Sequence, residues 1–233
     1  MSDVRAGPPF LSDRWRVAIA CVAVVSVVGV AACGWRYAGD RAPGRLDNAI
    51  DSHLIPLGEA HYRPFAALAA LGSPAVMVLV MIVLLVAVWR THRYWPAGAL
   101  VVAGPLLAEL TTEMLLKPLF DRTHYGELSL PSGHSTSITA EFTVFLVVFV
   151  AVGLPQRVWL RHLLVAAGGF AVFGVCFAEV ALDQHYSTDV LAGVFVGACV
   201  TAMVTLVLDG GMRALAFRPA EGDLPSRPGD GAA

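Results

Sequence analysis

The sequence has little charge for its length. Charged residues make up 15% of its 233 residues and hydrophobic residues 57%, whereas about 25% of the residues of a soluble domain are charged. So few charges cannot cover the surface of a soluble globule of this size, and so many apolar residues exclude a disordered chain. Its 16 basic residues face 18 acidic ones and form no basic block, which excludes a nucleic-acid-binding protein. Four cysteines are too few for a disulfide scaffold.

Long apolar runs fill most of the chain, and a membrane-spanning helix needs about 20 such residues. Six runs qualify: residues 17–34, a stretch within 64–89, 96–116, 135–153, 162–178 and 190–208. All five tryptophans fall at the ends of these runs, as expected of aromatic belts at the two membrane interfaces. The apolar residues are continuous rather than alternating, which makes spanning strands improbable. The sequence predicts an all-α integral membrane protein, a six-transmembrane helical bundle.

Basic residues predict the orientation of the bundle. With the N-terminus in the cytoplasm, 10 of the 16 basic residues fall on the cytoplasmic side. We therefore expect both termini inside and the loops after the third and fifth helices outside. The predicted organisation is a cytoplasmic segment (1–16), a six-helix membrane domain (17–208) and a disordered cytoplasmic tail (209–233). One alternative stays open, because the residues up to Cys33 resemble a bacterial lipoprotein cleavage site.

Residues 36–63 form a long loop on the predicted outer side. Leu46, Ile50 and Leu54 are spaced to share one helical face. The sequence therefore predicts a short helix here that lies at the membrane interface.

Polar residues concentrate in two outward loops and at the helix starts beside them. Three groups stand out: Lys117, Arg122 and His124; Ser132, Gly133 and His134; His185 and Asp189. Polar groups at membrane depth are costly and are usually functional. Cations and free backbone N–H groups at a helix start bind phosphate oxygens. Two histidines can divide the roles of nucleophile and general acid, and Asp189, one helical turn after His185, can orient its imidazole.

These groups resemble the type-2 phosphatidic acid phosphatase superfamily, in its integral-membrane lipid phosphate phosphatase branch. The resemblance rests on Pro131-Ser132-Gly133-His134, on His185-x-x-x-Asp189 and on Lys117 before them. It covers residues 65–208 and includes six helices with the motifs at the family's positions. The resemblance implies a six-helix membrane enzyme whose active site faces the non-cytoplasmic side and needs no metal or other cofactor.

The resemblance also implies a role for each site residue. His185 would attack phosphorus and form a phosphohistidine, and Asp189 would orient His185. His134 would protonate the leaving group and then activate water. The phosphoryl oxygens would be held by four groups: Lys117, Arg122, Ser132 and the backbone at Gly133.

Two positions depart from the family pattern. His124 and Tyr125 occupy the Arg-Pro positions of the first block, and Ala178-Glu179 occupy the Ser-Arg positions of the third. A carboxylate beside a phosphate is repulsive unless it is protonated or paired. We expect Arg122 or His124 to be the partner of Glu179. The exchange indicates reduced activity or an altered substrate preference.

Further glutamates line the predicted third and fourth helices. Glu109, Glu113 and Lys117 stand one turn apart, so we expect Glu113 to pair with Lys117. The alternative, a polar path that tunes the lysine or receives a substrate headgroup, stays open. Glu141 lies two turns after His134 and is expected to meet Glu109 or Glu113 in the bundle.

The sequence therefore predicts a lipid phosphate phosphatase at the outer face of a bacterial-type plasma membrane. Its candidate substrates are polyprenyl diphosphate, phosphatidic acid and phosphatidylglycerophosphate, whose apolar chains would stay in the bilayer. One alternative is a phosphotransferase that passes the phosphohistidine to an acceptor other than water. Another is a non-catalytic descendant that binds phospholipids. The sequence predicts no oligomeric state.

Overall fold

The structure, a computed structural model, describes residues 10–91, 95–151 and 154–216. Most of these residues are helical. The α-helices in this part of the chain are α1 (Asp13–Tyr37), α2 (Arg45–Ala60), α3 (Tyr62–Ala69), α4 (Pro74–Thr91), α5 (Trp95–Leu110), α6 (Lys117–Phe120), α7 (Gly133–Phe145), α8 (Val158–Ala181) and α9 (Ser187–Ala216). A 3₁₀ turn (Ala70–Gly72) precedes α4, and π-helical segments follow α5 (Thr111–Leu116) and α7 (Leu146–Val150).

Five helical stretches are long and apolar enough to cross a membrane. They are Asp13–Tyr37, Trp95–Phe120, Gly133–Val150, Val158–Ala181 and Ser187–Leu215. The remaining predicted run is divided into Tyr62–Gly72 and Pro74–Arg90, which meet at 54°. Pro74 explains the break, because the residue before a proline is held in extended backbone, here Ser73 with ψ of 151°. The described chain has five spans, or the predicted six if this bent pair crosses as one.

Helix α9 lies at the centre of the bundle, where α1, α5 and α7 pack against it. Two glycines of α9 let α7 approach closely. A Cβ on Gly193 would lie 2.5 Å from the carbonyl oxygen of Ser132, and one on Gly197 would lie 2.4 Å from that of Thr136. Small residues allow membrane helices to meet backbone to backbone. This contact brings the starts of α7 and α9 together, and with them the two histidine motifs.

Helix α2 confirms the helix predicted between residues 36 and 63. Its apolar residues Leu46, Ile50 and Leu57 are exposed, whereas Asp47 and Asp51 are buried. The helix packs on α8 and α9 through this acidic face. An exposed apolar face opposite a buried acidic one suits a helix at the membrane interface.

A short hairpin follows α6. Strand β1 (Thr123–His124) pairs antiparallel with β2 (Glu127–Leu128). Tyr125 and Gly126 form its turn with φ values of 48° and 86°, the positive φ pair that suits a two-residue hairpin. The hairpin holds His124 against the loop between α8 and α9, where its Nε2 lies 2.9 Å from the carbonyl oxygen of Asp183.

Helix α9 extends past residue 208, where the sequence analysis ends the membrane domain. Helix α9 continues to Ala216, so residues 209–216 are helical rather than part of a disordered tail. Asp209 explains the difference, because its fully buried carboxylate accepts hydrogen bonds from Leu11 N–H at 2.9 Å and from Arg213 at 2.9 Å. Similarly, α1 begins at Asp13, before the predicted residue 17. The rest of the predicted tail, 217–233, and most of the N-terminal segment, 1–9, lie outside the described residues.

Candidate active site

The two histidine motifs meet at the starts of α7 and α9. Ser132 caps α7, and its Oγ accepts a hydrogen bond from Ser135 N–H at 3.4 Å. The Ser132 N–H in turn donates to the carbonyl oxygen of Asp189 at 3.0 Å. The cap of one helix is therefore bound to the first turn of the other. Ser132 itself is fully buried, so the structure places it as a helix cap beneath the histidines.

Glu179 lies between the two histidines. Its Oε2 is 3.7 Å from His134 Nδ1 and 3.8 Å from His185 Nε2. These distances are within ion-pair range but exceed that of a hydrogen bond. The Glu179 side chain is fully buried, whereas His134 and His185 keep 35% and 14% of their side chains exposed. The expectation that Arg122 or His124 pairs with Glu179 is therefore wrong, since its partners are the catalytic histidine candidates themselves.

Asp189 stands on the other side of His185. Its Oδ2 lies 3.9 Å from His185 Nδ1 and accepts a bond from Tyr186 N–H at 3.3 Å. The carboxylate therefore faces one imidazole nitrogen while Glu179 faces the other. This is the arrangement that would hold His185 in one tautomer with Nε2 directed towards His134 and Glu179.

Lys117 is paired as the sequence predicts. Its Nζ lies 2.7 Å from Glu113 Oε1. The Glu113 and Glu109 carboxylates also approach the start of α7, where a Cβ on Gly133 would lie 2.8 Å and 3.2 Å from their Oε1 atoms. Glu109 accepts a hydrogen bond from Ser137 at 2.7 Å. Two carboxylates therefore surround the backbone that the resemblance assigns to phosphate.

Arg122 is an internal anchor in this structure. Its guanidinium is fully buried and donates to Asp189 at 2.5 Å, to Asp47 at 2.6 Å and to Thr188 at 2.7 Å. The rings of Tyr37 and Tyr186 lie 4.8 Å and 4.4 Å from its Cζ. The sequence assigns Arg122 to phosphate binding, but its donors are directed at two carboxylates. It fixes Asp189 rather than facing the space between the histidines.

Asp47 completes this anchor from α2. Burial alone would raise the pKa of Asp47, but hydrogen bonds from Thr188, from Gly44 N–H and from Arg122 outweigh it and lower that pKa. Burial likewise opposes the charge of Arg122, but Asp189 and Asp47 raise its pKa overall. Both groups therefore stay charged and bind each other. The sequence analysis missed Asp47 because it belongs to no motif. The one feature that could have indicated it is its place as an acidic residue on an amphipathic helix.

His124 belongs to the hairpin and not to the space between the histidines. It is 8% exposed, and its ring packs on the rings of Tyr125 and Tyr186 at 4.3 Å. The Tyr125 hydroxyl donates a hydrogen bond to Asp183, which raises the pKa of Tyr125. His124 therefore packs the hairpin against the α8–α9 loop rather than contacting His134 or His185.

Glu141 does not meet Glu109 or Glu113. It is 3% exposed, and neither carboxylate oxygen has a hydrogen-bond partner among the described residues. It borders an apolar cavity between α4, α7 and α8, together with Leu84, Phe142 and Leu164. The expected meeting fails because α7 directs Glu141 towards this cavity, whereas it directs Ser137 towards Glu109.

A cavity of about 660 Å³ opens between α2, the hairpin and the α8–α9 loop, and neither His134 nor His185 lines it. Asp51, Asn48, Tyr125 and Asp183 contribute to its lining. Asp51 is 6% exposed and accepts a hydrogen bond from Ser187 N–H at 3.3 Å. Burial and the nearby charge of Asp47 raise the pKa of Asp51 to about 6, although the bonds from Ser187 oppose the rise.

We expect Asp51→Asn to stabilise the protein at neutral pH. Because the folded state holds the Asp51 proton more tightly, this carboxyl contributes stability that is complete below about pH 4 and lost as the pH rises through about 6. The asparagine does not titrate, so the variant should match the parent near pH 4 and exceed it near pH 8 by up to ~3 kcal/mol. Thermal unfolding in detergent at both pH values measures this. The exposed control Glu127→Gln should show no such pH-dependent gain, and an Asp51→Asn gain at both pH values would contradict the assignment.

No group of three His, Cys, Asp or Glu side chains within residues 10–91, 95–151 and 154–216 is arranged to hold a metal ion.

Comparisons with known proteins place this geometry in a family. A search of curated proteins finds no match. The crystal structure of a transmembrane PAP2-type phosphatidylglycerolphosphate phosphatase from Bacillus subtilis is similar, with a TM-score of 0.60 and 20% sequence identity. The similarity covers 86% of this chain and 98% of that one. At this identity the likeness establishes the fold, a transmembrane PAP2 fold. The family model of the PAP2 superfamily matches residues 65–212, more than half of the sequence and all of the histidine site, so the chain belongs to the PAP2 superfamily.

Proposed function

We propose that this membrane protein is a lipid phosphate phosphatase that acts through a phosphohistidine intermediate and without a metal ion. The observation that carries the proposal is the pair of partly exposed histidines, which face one buried carboxylate at 3.7 Å and 3.8 Å. Membership of the PAP2 superfamily supports a phosphatase. The apolar helices that carry the site support a substrate that resides in the bilayer.

The proposed reaction has two displacements. In the first, His185 Nε2 attacks phosphorus, the bond to the lipid oxygen breaks, and His134 gives its proton to the departing alkoxide. In the second, a water attacks the phosphohistidine, His134 takes the proton of that water, and phosphate leaves. Asp189 Oδ2 faces Nδ1 of His185 at 3.9 Å in the resting site, and closing this distance to a hydrogen bond would orient the ring for attack. The first displacement breaks the bond from phosphorus to the lipid oxygen, and the second breaks the bond from phosphorus to Nε2 of His185. Both histidines regain their starting states only after the second displacement.

The proposed setting is the outer face of a plasma membrane, with both termini in the cytoplasm. The distribution of arginines supports this orientation. The exposed apolar face of α2 also fits a position at the outer interface. The substrate candidates are phosphatidic acid, phosphatidylglycerophosphate and polyprenyl diphosphate. In each, the apolar chain would remain among the helices while the phosphoryl group meets the histidines.

We expect the purified protein to release phosphate from at least one of these lipids in detergent containing a chelator. Histidines supply both the nucleophile and the proton carrier, so activity should be the same with and without EDTA. Phosphate release measured over the three lipids tests the proposal and identifies the substrate. Loss of activity with EDTA that added divalent metal restores would overturn the metal-free mechanism. Lipid binding without any release would instead favour a non-catalytic lipid-binding protein.

A second candidate function is phosphoryl transfer to an alcohol. A cavity of about 660 Å³ beside the α8–α9 loop favours it, because Asp51, Asn48 and Tyr125 in its lining can form hydrogen bonds with a hydroxylated acceptor. Chromatography of the reaction products in the presence of a labelled lipid acceptor separates transfer from hydrolysis. Products that contain only free phosphate would leave hydrolysis as the function.

A further inference from the structure

The cations beside the two histidines are already neutralised by carboxylates. Lys117 binds Glu113 at 2.7 Å, and its side chain is only 14% exposed. Arg122 is fully buried between Asp47 and Asp189. Arg122 is therefore unavailable to a substrate unless an ion pair breaks, and the charge of Lys117 is already balanced by Glu113.

Carboxylates, by contrast, face the positions that a phosphoryl group would occupy. Glu179 Oε2 lies opposite His185 Nε2, the proposed attacking nitrogen. Both oxygens of Glu179 are buried and accept no hydrogen bond from the described residues. Glu113 and Glu109 lie against Gly133 at the start of α7. A phosphate with two negative charges would therefore approach unbalanced negative charge.

We propose that Glu179 determines specificity by accepting a hydrogen bond from a protonated phosphoryl oxygen, so that the site takes a phosphomonoester with a single negative charge. This inference rests on the proposed function and names the ionic form of its substrate. A buried acceptor without a donor is costly, and a P–OH group supplies the missing donor. A phosphoryl group with two negative charges, or a sulfate, has acceptors only and is repelled. Glu179 thus acts on binding, and the roles of His134 and His185 are unchanged.

The groups that face Glu179 come from three neighbouring elements. His134 belongs to α7, His185 to the α8–α9 loop and Lys117 to the start of α6. Cys176 lies one turn earlier on α8 itself. The protonation of the histidines contributes to the pH profile of every variant, so the informative quantity is the ratio between a Glu179 variant and the parent at each pH.

The experiment measures kcat/KM of phosphatidic acid, or of the best lipid found, from pH 5.5 to 8.5 for the parent and for Glu179→Gln. The second pKa of a phosphate monoester is about 6, so the singly charged form falls about tenfold for each pH unit above that. The glutamine amide can donate to a doubly charged phosphate. The ratio of the variant's kcat/KM to the parent's should therefore rise at least ~10-fold between pH 6 and pH 8. Glu59→Gln, an exposed carboxylate of α2, is the matched control and should give a flat ratio near one.

A second measurement needs no variant. Phosphate should inhibit the parent most strongly at low pH, where it carries a proton, and sulfate should inhibit weakly at every pH because it carries none. A flat ratio for Glu179→Gln, loss of its activity at all pH values, or equal inhibition by sulfate and phosphate would each overturn the inference. A parent that hydrolyses no lipid phosphate would instead overturn the proposed function. In that case calorimetry on the parent still tests the inference: tighter binding of phosphate than of sulfate at low pH supports it, and equal binding of the two contradicts it.

Discussion

His185→Ala is expected to lower the rate of phosphate release by on the order of 10⁵-fold, the loss that follows removal of a nucleophile from a cooperating set. No neighbouring group can replace it. Glu179 and Asp189 flank its two ring nitrogens, and His134 stands beyond Glu179. The side chain is 14% exposed and makes no close hydrogen bond, so its removal should leave the fold intact. Initial rates of phosphate release in detergent, with the thermal midpoint measured in parallel, test this.

The control for this substitution is His162→Ala. His162 lies exposed near the start of α8, at the opposite end of that helix from Glu179. This variant should retain the parent rate. A His185→Ala protein that keeps more than a hundredth of the parent rate would exclude His185 as the nucleophile, since loss of a merely helpful acid or base costs about 10²–10⁴-fold.

An intermediate distinguishes the roles of the two histidines. With an aryl phosphomonoester the leaving group departs readily without a proton, so a His134→Ala variant should still form the phosphohistidine but hydrolyse it slowly. Rapid-quench labelling should then show an acid-labile phosphoprotein in His134→Ala and none in His185→Ala. Label in both variants would place the covalent bond elsewhere.

The sequence was sufficient for the parts of the site that lie in short contiguous motifs. Ser132 caps α7, Gly133 and His134 are its first two residues, and Asp189 follows His185 by one turn. The apolar runs predict the spans because a bilayer forces backbone groups to pair within each helix. The apolar runs do not predict the bend before Pro74. The Gly-Ser-Pro stretch at this point in the sequence does indicate a break in the helix.

Contacts between distant segments could not be predicted in this way. Asp47 reaches Arg122 across 75 residues, from a loop that carries no motif. Its position depends on the packing of α2 on α8 and α9, which spacing along the chain does not reveal. The prediction that Arg122 or His124 pairs with Glu179 is wrong for the same reason. Arg122 is already bound by two aspartates, which leaves the histidines as the groups opposite that carboxylate.

Arg122→Met is expected to lower the free energy of unfolding by about 3–5 kcal/mol, because it leaves buried carboxylates without their counter-charge. Asp47 and Asp189 are both fully buried and both bind the guanidinium, at 2.6 Å and 2.5 Å. The methionine keeps much of the side-chain volume between the rings of Tyr37 and Tyr186, so packing changes little. Equilibrium unfolding or the thermal midpoint in detergent measures the loss. Activity should also fall, since Asp189 is no longer held beside His185.

Arg41→Met is the matched control for this buried pair. Arg41 binds Asp121 at the same 2.6 Å, but both side chains are more than half exposed. Exposed pairs contribute about 0–1 kcal/mol, so the control should change stability little. Asp47→Asn in the Arg122→Met background should recover part of the loss, because one of the two stranded charges is then removed. Equal effects of the Arg122 and Arg41 substitutions, or no recovery in the double variant, would show that this ion pair does not connect α2 to Asp189.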